Sequence, residues 1–284
     1  MTDPAPAFSA ADTEQVNCCL CGDTGTSVYE LPPYGVRRCA RCTLVFVSPR
    51  LRAQALSRFY DQVDYFECGV YGDQTGWSPA MALQRLWTSG RLNRIAKARS
   101  TRDSNARLGR PADGQRLLEF GSGYGLFLAA ARDRGYDVQG VELSHPAAQQ
   151  TAKLGLDVYC GQLVDAPLDG PYDVICGWDT LEHVPNPLAV LQRIRELVAD
   201  DGTVAMSTPY FSSLPSRLLR KRWWTLKPTE HIWHYTPYTL RLLAARAGFT
   251  VTDVIRSPLA PVNLTRLVNL GMRYEAGWTI PAAG

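Results

Sequence analysis

The chain reads as an α/β protein, a doubly wound sheet preceded by a small metal-binding knuckle or ribbon, and three observations predict this. Residues 117–142 run as strand, glycine turn, helix and second strand. Strand and helix patterns then alternate to about residue 255, the order that builds a parallel sheet. Ahead of them stand two Cys-x-x-Cys pairs. With 284 residues, 45% hydrophobic and 20% charged, the chain has enough apolar material for one sizeable core and a smaller module.

The first element is the cysteine segment. Cys18-Cys19-Leu20-Cys21 and Cys39-Ala40-Arg41-Cys42 leave seventeen residues between the pairs, the ligand spacing of a four-thiolate zinc site. Cys18, Cys21, Cys39 and Cys42 are the expected ligands and Cys19 the spare, with Gly22 relieving the first turn. The rival reading, two disulfides, suits an oxidising compartment, whereas the N-terminus lacks the basic start and apolar stretch of an export signal. No apolar run approaches a membrane span, so the expected home is cytoplasmic. A four-cysteine site has no open position, so the zinc is expected to be structural. Cys68, Cys160 and Cys176 are isolated, and the last two lie in apolar strand contexts that suit small core residues. Val45-Phe46-Val47 reads as a closing strand, and Ser48-Pro49 as the module's boundary.

The expected organisation is a flexible tail over 1–15, the zinc-binding module over 16–48, a basic, partly helical connector over 49–112, a nucleoside-binding domain over 113–260 and a C-terminal segment over 261–284. Between Arg85 and Arg110 lie seven arginines and one lysine against only Asp103. This run reads either as a solvated connecting segment or as a surface for a phosphate-bearing substrate. The net charge of +3 does not by itself imply a nucleic-acid partner.

Leu117 to Phe120 form an apolar strand that enters Gly121, Gly123 and Gly125, and a helical pattern starts at Leu126. Glycine suits a sharp turn against which a ligand must lie closely, and the helix start offers free N–H groups. The strand Asp137 to Leu143 contains Glu142, whose carboxylate can accept both hydroxyls of a ribose. Leu126 stands where a dinucleotide fingerprint needs its third glycine, which weakens a pyrophosphate ligand. Glu119 is placed for the ammonium of an amino-acid-bearing nucleoside.

This motif resembles the first motif of class I S-adenosylmethionine-dependent methyltransferases. Residues 172–187, which contain Asp179-Thr-Leu-Glu-His183 and end in Pro187, look like that family's fourth strand and following loop, in its small-molecule branch. A helix carrying Val190, Leu191, Ile194, Leu197 and Val198 on one face and the strand Thr203 to Ser207 continue the pattern. Thr236, Pro237 and Gly248 then frame a last helix before the strand Thr250 to Ile255. The resemblance covers about residues 115–255 and implies a Rossmann-like sheet and S-adenosylmethionine as cofactor. Its implied contacts are Glu119, Gly121, Ser122, Gly123 and Gly125 at the amino-acid end, Glu142 and Leu143 at the ribose, Gln162 and Leu163 after the strand Asp157 to Cys160 at the adenine, and Asp179. A cysteine module ahead of such a domain is common among bacterial small-molecule methyltransferases, some acting on sugars. Departures are Asp200-Asp201-Gly202, where relatives usually have a second glycine, and Tyr210, where many have Asn.

Methyl transfer needs alignment and, for a protonated acceptor, a base. The candidate bases are His183 and His231, with His234 a further histidine that equally suits a structural role. The segment Tyr210 to Tyr235 is expected to cover the acceptor pocket, offering Arg217, Arg220, Lys221 and Arg222 to an anionic substrate group. Two other classes fit parts of the pattern. A zinc-module RNA methyltransferase would use the basic connector but lacks an evident RNA-binding motif, and a non-catalytic binding protein has no need of the intact glycine loop and Glu142. A small-molecule acceptor, with nucleic acid disfavoured, is the expected partner.

Overall fold

The computed structural model describes residues 8–60, 79–100, 114–257 and 273–279. Cys68, Arg102, Arg107, Arg110 and most of the segment after Ser257 lie outside the described residues.

The sheet forms where the alternating pattern predicts it. Strands β6 (Arg116–Phe120), β7 (Asp137–Glu142), β8 (Asp157–Cys160), β9 (Tyr172–Trp178) and β10 (Val198–Pro209) are parallel and stand in the order β10-β9-β6-β7-β8. β9 is buried along nearly its whole length, as a strand covered on both faces must be. β12 (Thr250–Ser257) and β13 (Arg273–Thr279) complete seven strands, with β13 antiparallel to both β10 and β12. β13 is the strand for which the sequence gives no clear signal. The chain order reverses direction between β6 and β9, and the carboxyl ends of these neighbours open the crevice where open α/β sheets bind ligands.

Helices begin at the expected caps. Asn186 accepts from the Ala189 N–H at 3.1 Å to start the helix Pro187–Leu197, and Thr236 with Thr239 forms a capping box at Pro237–Arg246. The basic connector carries two helices, α1 (Ala53–Tyr60) and α2 (Pro79–Ser100). Leu92 and Ile95 of α2 bury against Leu117, Phe127 and Val174. Arg91 is buried, and Arg99 pairs with Asp173 at 3.2 Å, so these cations are anchored to the domain instead of solvated.

The N-terminal module is a sheet of β2 (Thr26–Leu31), β3 (Tyr34–Arg38) and β4 (Val45–Val47), to which the larger domain adds β11 (Trp233–His234). β1 (Thr13–Glu14) pairs antiparallel with β5 (Arg50–Leu51), so the end of the expected flexible tail is held in a strand. β11 pairs with β4 through Trp233 opposite Phe46 and His234 opposite Val45, and Val47 N–H donates to the Ile232 carbonyl at 2.9 Å. One hydrophobic cluster runs from Leu44, Phe46 and Leu51 through to Leu181, Ile194 and Tyr235. The boundary at Ser48-Pro49 is thus a boundary in sequence and not in packing.

Candidate functional site

At the carboxyl end of β6 the chain turns through Gly121, Gly123 and Gly125, all at positive φ (70°, 54° and 73°). A Cβ on Gly121 would lie 2.4 Å from Thr180 Oγ1, so both conformation and space require glycine there. Glu142, at the end of β7, holds this turn: one carboxylate oxygen accepts from the Gly123 N–H at 2.7 Å, the other from the Ser144 N–H at 2.8 Å. Each oxygen keeps a lone pair for a further donor. Burial raises the Glu142 carboxyl, and the backbone donors oppose this. Glu119 is 3% exposed, and its Oε2 has no hydrogen-bond partner among the described residues. Burial pushes its carboxyl well above the usual range, with Arg91 pulling the other way. A buried carboxyl oxygen left without a partner beside an open turn fits a ligand that brings a positive charge.

Two cavities meet at this turn. The larger, about 290 Å³, is lined by Gly121, Gly123, Glu142, Leu143, Gln162 and Leu163 on one side and by Tyr60, Asp179, Thr180, His183 and Asn186 on the other. The smaller, about 80 Å³, is bounded by Glu119, Ser122, Trp87, Arg91, Trp178 and Asp179. Every expected cofactor contact lines one or other cavity except Gly125, the residue that caps the following helix. Asp179 stands between the two cavities at φ 54°, a strained conformation for a non-glycine residue and one that clusters at functional sites.

Two residues at the site escape sequence reasoning. Arg91 stacks between the rings of Trp87 and Trp178, each 4.3 Å from its guanidinium, and lies 3.6 Å from Asp179. Its signal was the Trp87/Arg91 pair four residues apart on one helix face. Tyr60, the last residue of α1, reaches the larger cavity and places its hydroxyl 2.7 Å from His183 Nδ1. No local sequence signal marks that contact.

The histidines separate by position. His183 lines the cavity, and burial lowers its basicity and keeps the ring neutral. His231 does not line either cavity. Its Nδ1 donates to the Thr225 carbonyl at 2.7 Å and its ring lies 4.7 Å behind that of His183, which removes it from direct contact with an acceptor. His234 is buried against Phe211 and Trp223, and burial lowers its pKa to about 3, the state of a packed, neutral ring.

The expected cover over the pocket forms differently. Trp223 is buried with Val36, Val45, Phe211 and Leu226, so the insert docks on the module's sheet. Arg217, Arg220, Lys221 and Arg222 are exposed, and none lines either cavity. The two tryptophans found their apolar partner in the module and not over the ligand.

In the module, the sulfur atoms of Cys18, Cys21, Cys39 and Cys42 lie within 4.8 Å of one another. Each pair sits in a knuckle: Gly22 N–H donates to Cys18 O at 2.8 Å, and Thr43 N–H to Cys39 O at 3.1 Å, with Gly22 and Thr43 at positive φ. Cys19 falls outside the set. Burial raises Cys18 to about 11, which keeps the thiol protonated unless a cation lies beside it. Cys160 is exposed, contrary to the core role expected of it, while Cys176 is buried. Among the described residues no helix is long and apolar enough to cross a membrane.

Comparison with known proteins agrees with this geometry. The chain is 31% identical over 121 residues to a ubiquinone biosynthesis O-methyltransferase of Caulobacter sp. (strain K31), covering 40% of this chain and 47% of that protein. It is 25% identical over 181 residues to the protein of that name from Aeromonas salmonicida (strain A449), covering 59% and 75%. The chain spans about half the length of the first of these relatives. In structure it resembles magnesium protoporphyrin IX methyltransferase from Synechocystis PCC 6803 with bound SAH, with a TM-score of 0.58 and 14% identity over 81% of this chain and 100% of that one. That likeness establishes the doubly wound, Rossmann-like fold. A family described as "Methyltransferase domain" matches residues 91–254, more than half of the chain, and to that family this protein belongs.

Proposed function

We propose that the protein transfers a methyl group from S-adenosylmethionine to a hydroxyl oxygen of a small phenolic acceptor, with a structural zinc ion in its N-terminal module. The observation that carries the reading is the glycine turn gripped by Glu142, with the unpartnered Oε2 of the buried Glu119 beside it and a 290 Å³ cavity in front. Glu119 and Ser122 take the amino-acid end, Glu142 and Leu143 the ribose, Gln162 and Leu163 the adenine, and Gly121, Gly123 and Gly125 give the backbone its close approach. Asp179 lines both cavities and stands in the larger one with His183, on the acceptor's side. When bound, the cofactor supplies an electrophilic sulfonium methyl. The protein's part is to orient, to exclude water and to take the acceptor's proton, for which His183 is the base. His231 supports His183 from behind. An oxygen acceptor follows from the relatives named O-methyltransferases and from a neutral imidazole on the cavity wall. An anionic acceptor would find its charge partner elsewhere than in the insert's arginines.

The test is calorimetric titration with S-adenosylmethionine followed by methyl transfer from radiolabelled cofactor to 3,4-dihydroxybenzoate and related catechols. Micromolar binding and labelled product are expected; absence of binding overturns the cofactor site, and binding without transfer to any phenol overturns the acceptor class. Changing Arg220 and Arg222 together to Ala should leave the acceptor KM within about twofold, because exposed substitutions away from a site cost little. A KM raised tenfold or more would return the insert to the pocket.

A further inference from the structure

We propose that Tyr60 is a catalytic residue that works as a pair with His183: its hydroxyl takes the acceptor's proton while its own passes to His183 Nδ1. This rests on the phenolic-acceptor reading and adds to it a residue from outside the matched methyltransferase segment, since α1 ends well before residue 91. The geometry is direct. Tyr60 and His183 both line the cavity beside Asp179 and Thr180, their polar atoms are 2.7 Å apart, and their rings meet edge to face at 5.9 Å. A neutral imidazole has one ring nitrogen that accepts, and Nδ1 is the one within hydrogen-bond reach of the Tyr60 hydroxyl.

Tyr60 suits the inner position in such a chain and not that of a base acting alone. Burial, with Glu230, Glu182 and Glu142 nearby, holds its phenol well above the ordinary range, so it remains a neutral donor unless a proton replaces the one it gives up. His183 is kept neutral by burial and so can receive that proton, and the imidazolium formed meets Glu182 Oε1 at 3.9 Å from its Nε2. The step balances. The acceptor O–H gives its proton to Tyr60 Oη, the Tyr60 proton moves to His183 Nδ1, the acceptor oxygen forms a bond to the methyl carbon, and the C–S pair leaves on sulfur as a neutral thioether. No oxidant, reductant or further reactant is needed.

Two probes of different acidity separate a proton relay from mere packing. 3,4-Dihydroxybenzoate keeps its phenolic protons at neutral pH, whereas 4-nitrocatechol is already largely ionised there and needs no base. Tyr60→Phe keeps the ring contacts and removes the hydroxyl alone. It is expected to lower kcat/KM for 3,4-dihydroxybenzoate by about 100-fold, the usual scale of general base catalysis, with a loss at least about tenfold smaller for 4-nitrocatechol and unchanged binding of S-adenosylhomocysteine. His183→Gln should show the same ordering. A second readout needs no turnover. The chain has four histidines, and in protein labelled with ¹⁵N at histidine, the His183 Nδ1 resonance, assigned by its loss in His183→Gln, should shift in Tyr60→Phe towards that of an imidazole nitrogen without a donor. Equal losses on both probes, no loss on either, or an unmoved Nδ1 resonance would overturn the dyad while leaving the acceptor reading intact. A wild-type protein that binds cofactor but methylates neither probe overturns the acceptor reading, and the dyad with it.

Discussion

Glu142→Ala is expected to weaken binding of S-adenosylmethionine by roughly 10- to 150-fold, about 1.5–3 kcal/mol, with a smaller fall in melting temperature. The carboxylate does two things at once. It anchors the turn through the Gly123 and Ser144 N–H groups, and in the proposed assignment its remaining lone pairs, on the cavity wall, take the ribose hydroxyls. Alanine leaves both backbone donors without their partner in a buried place, so the turn loses its fixed shape in addition to the ligand contact. Glu142→Gln retains one acceptor but turns an amide N–H₂ towards a backbone donor, and should fall between wild type and alanine. Titration calorimetry with cofactor and with S-adenosylhomocysteine checks this, and an unchanged affinity in the alanine variant overturns the ribose assignment.

Loss of the proposed zinc is expected to be the second large effect. Purified under reducing conditions, the protein should carry one zinc per chain, and Cys18→Ser or Cys39→Ser should each lower that content and depress the melting temperature by more than about 10 °C. Cys18, Cys39 and Cys42 are almost fully buried, and two knuckles hold the four sulfurs together in a module with few strands of its own. Without a cation the buried Cys18 thiol stays protonated and the knuckles lose what gathers them. Cys19→Ser, outside the set, should leave zinc content unchanged. Elemental analysis with differential scanning calorimetry decides the matter: a zinc-free wild type, or full zinc in both serine variants, excludes the site.

Much of this was legible in the sequence because its causes are local. Gly121, Gly123 and Gly125 announce a turn whose backbone only glycine enters easily, and Thr236-Pro237 announces a helix start through hydrogen bonds that span three residues. Paired cysteines two residues apart announce a knuckle in the same way. What failed was long range. β13 is a strand because β10 and β12 offer it edges, while its own residues, with Gly277 in the middle, give no alternating signal. Trp223 and Trp224 announced a need for cover, yet the surface that buries Trp223 comes from Val36 and Val45, far earlier in the chain. His231 and His183 look equivalent as sequence, and only tertiary packing sets one at the cavity and the other behind it. Tyr60 meets His183 across 123 residues, beyond any spacing rule.

The strand that the larger domain lends to the module has a practical meaning for anyone cutting the gene. A fragment that begins after Pro49 would keep Trp233 and His234 but lose β4, leaving backbone N–H and C=O groups of an apolar edge open to any passing strand. The complementary fragment, ending at Ser48, would expose Val45, Phe46 and Val47 in the same manner. Neither piece is therefore a sound starting point for separate expression, and both halves are better regarded as one inheritable unit whose division invites self-association.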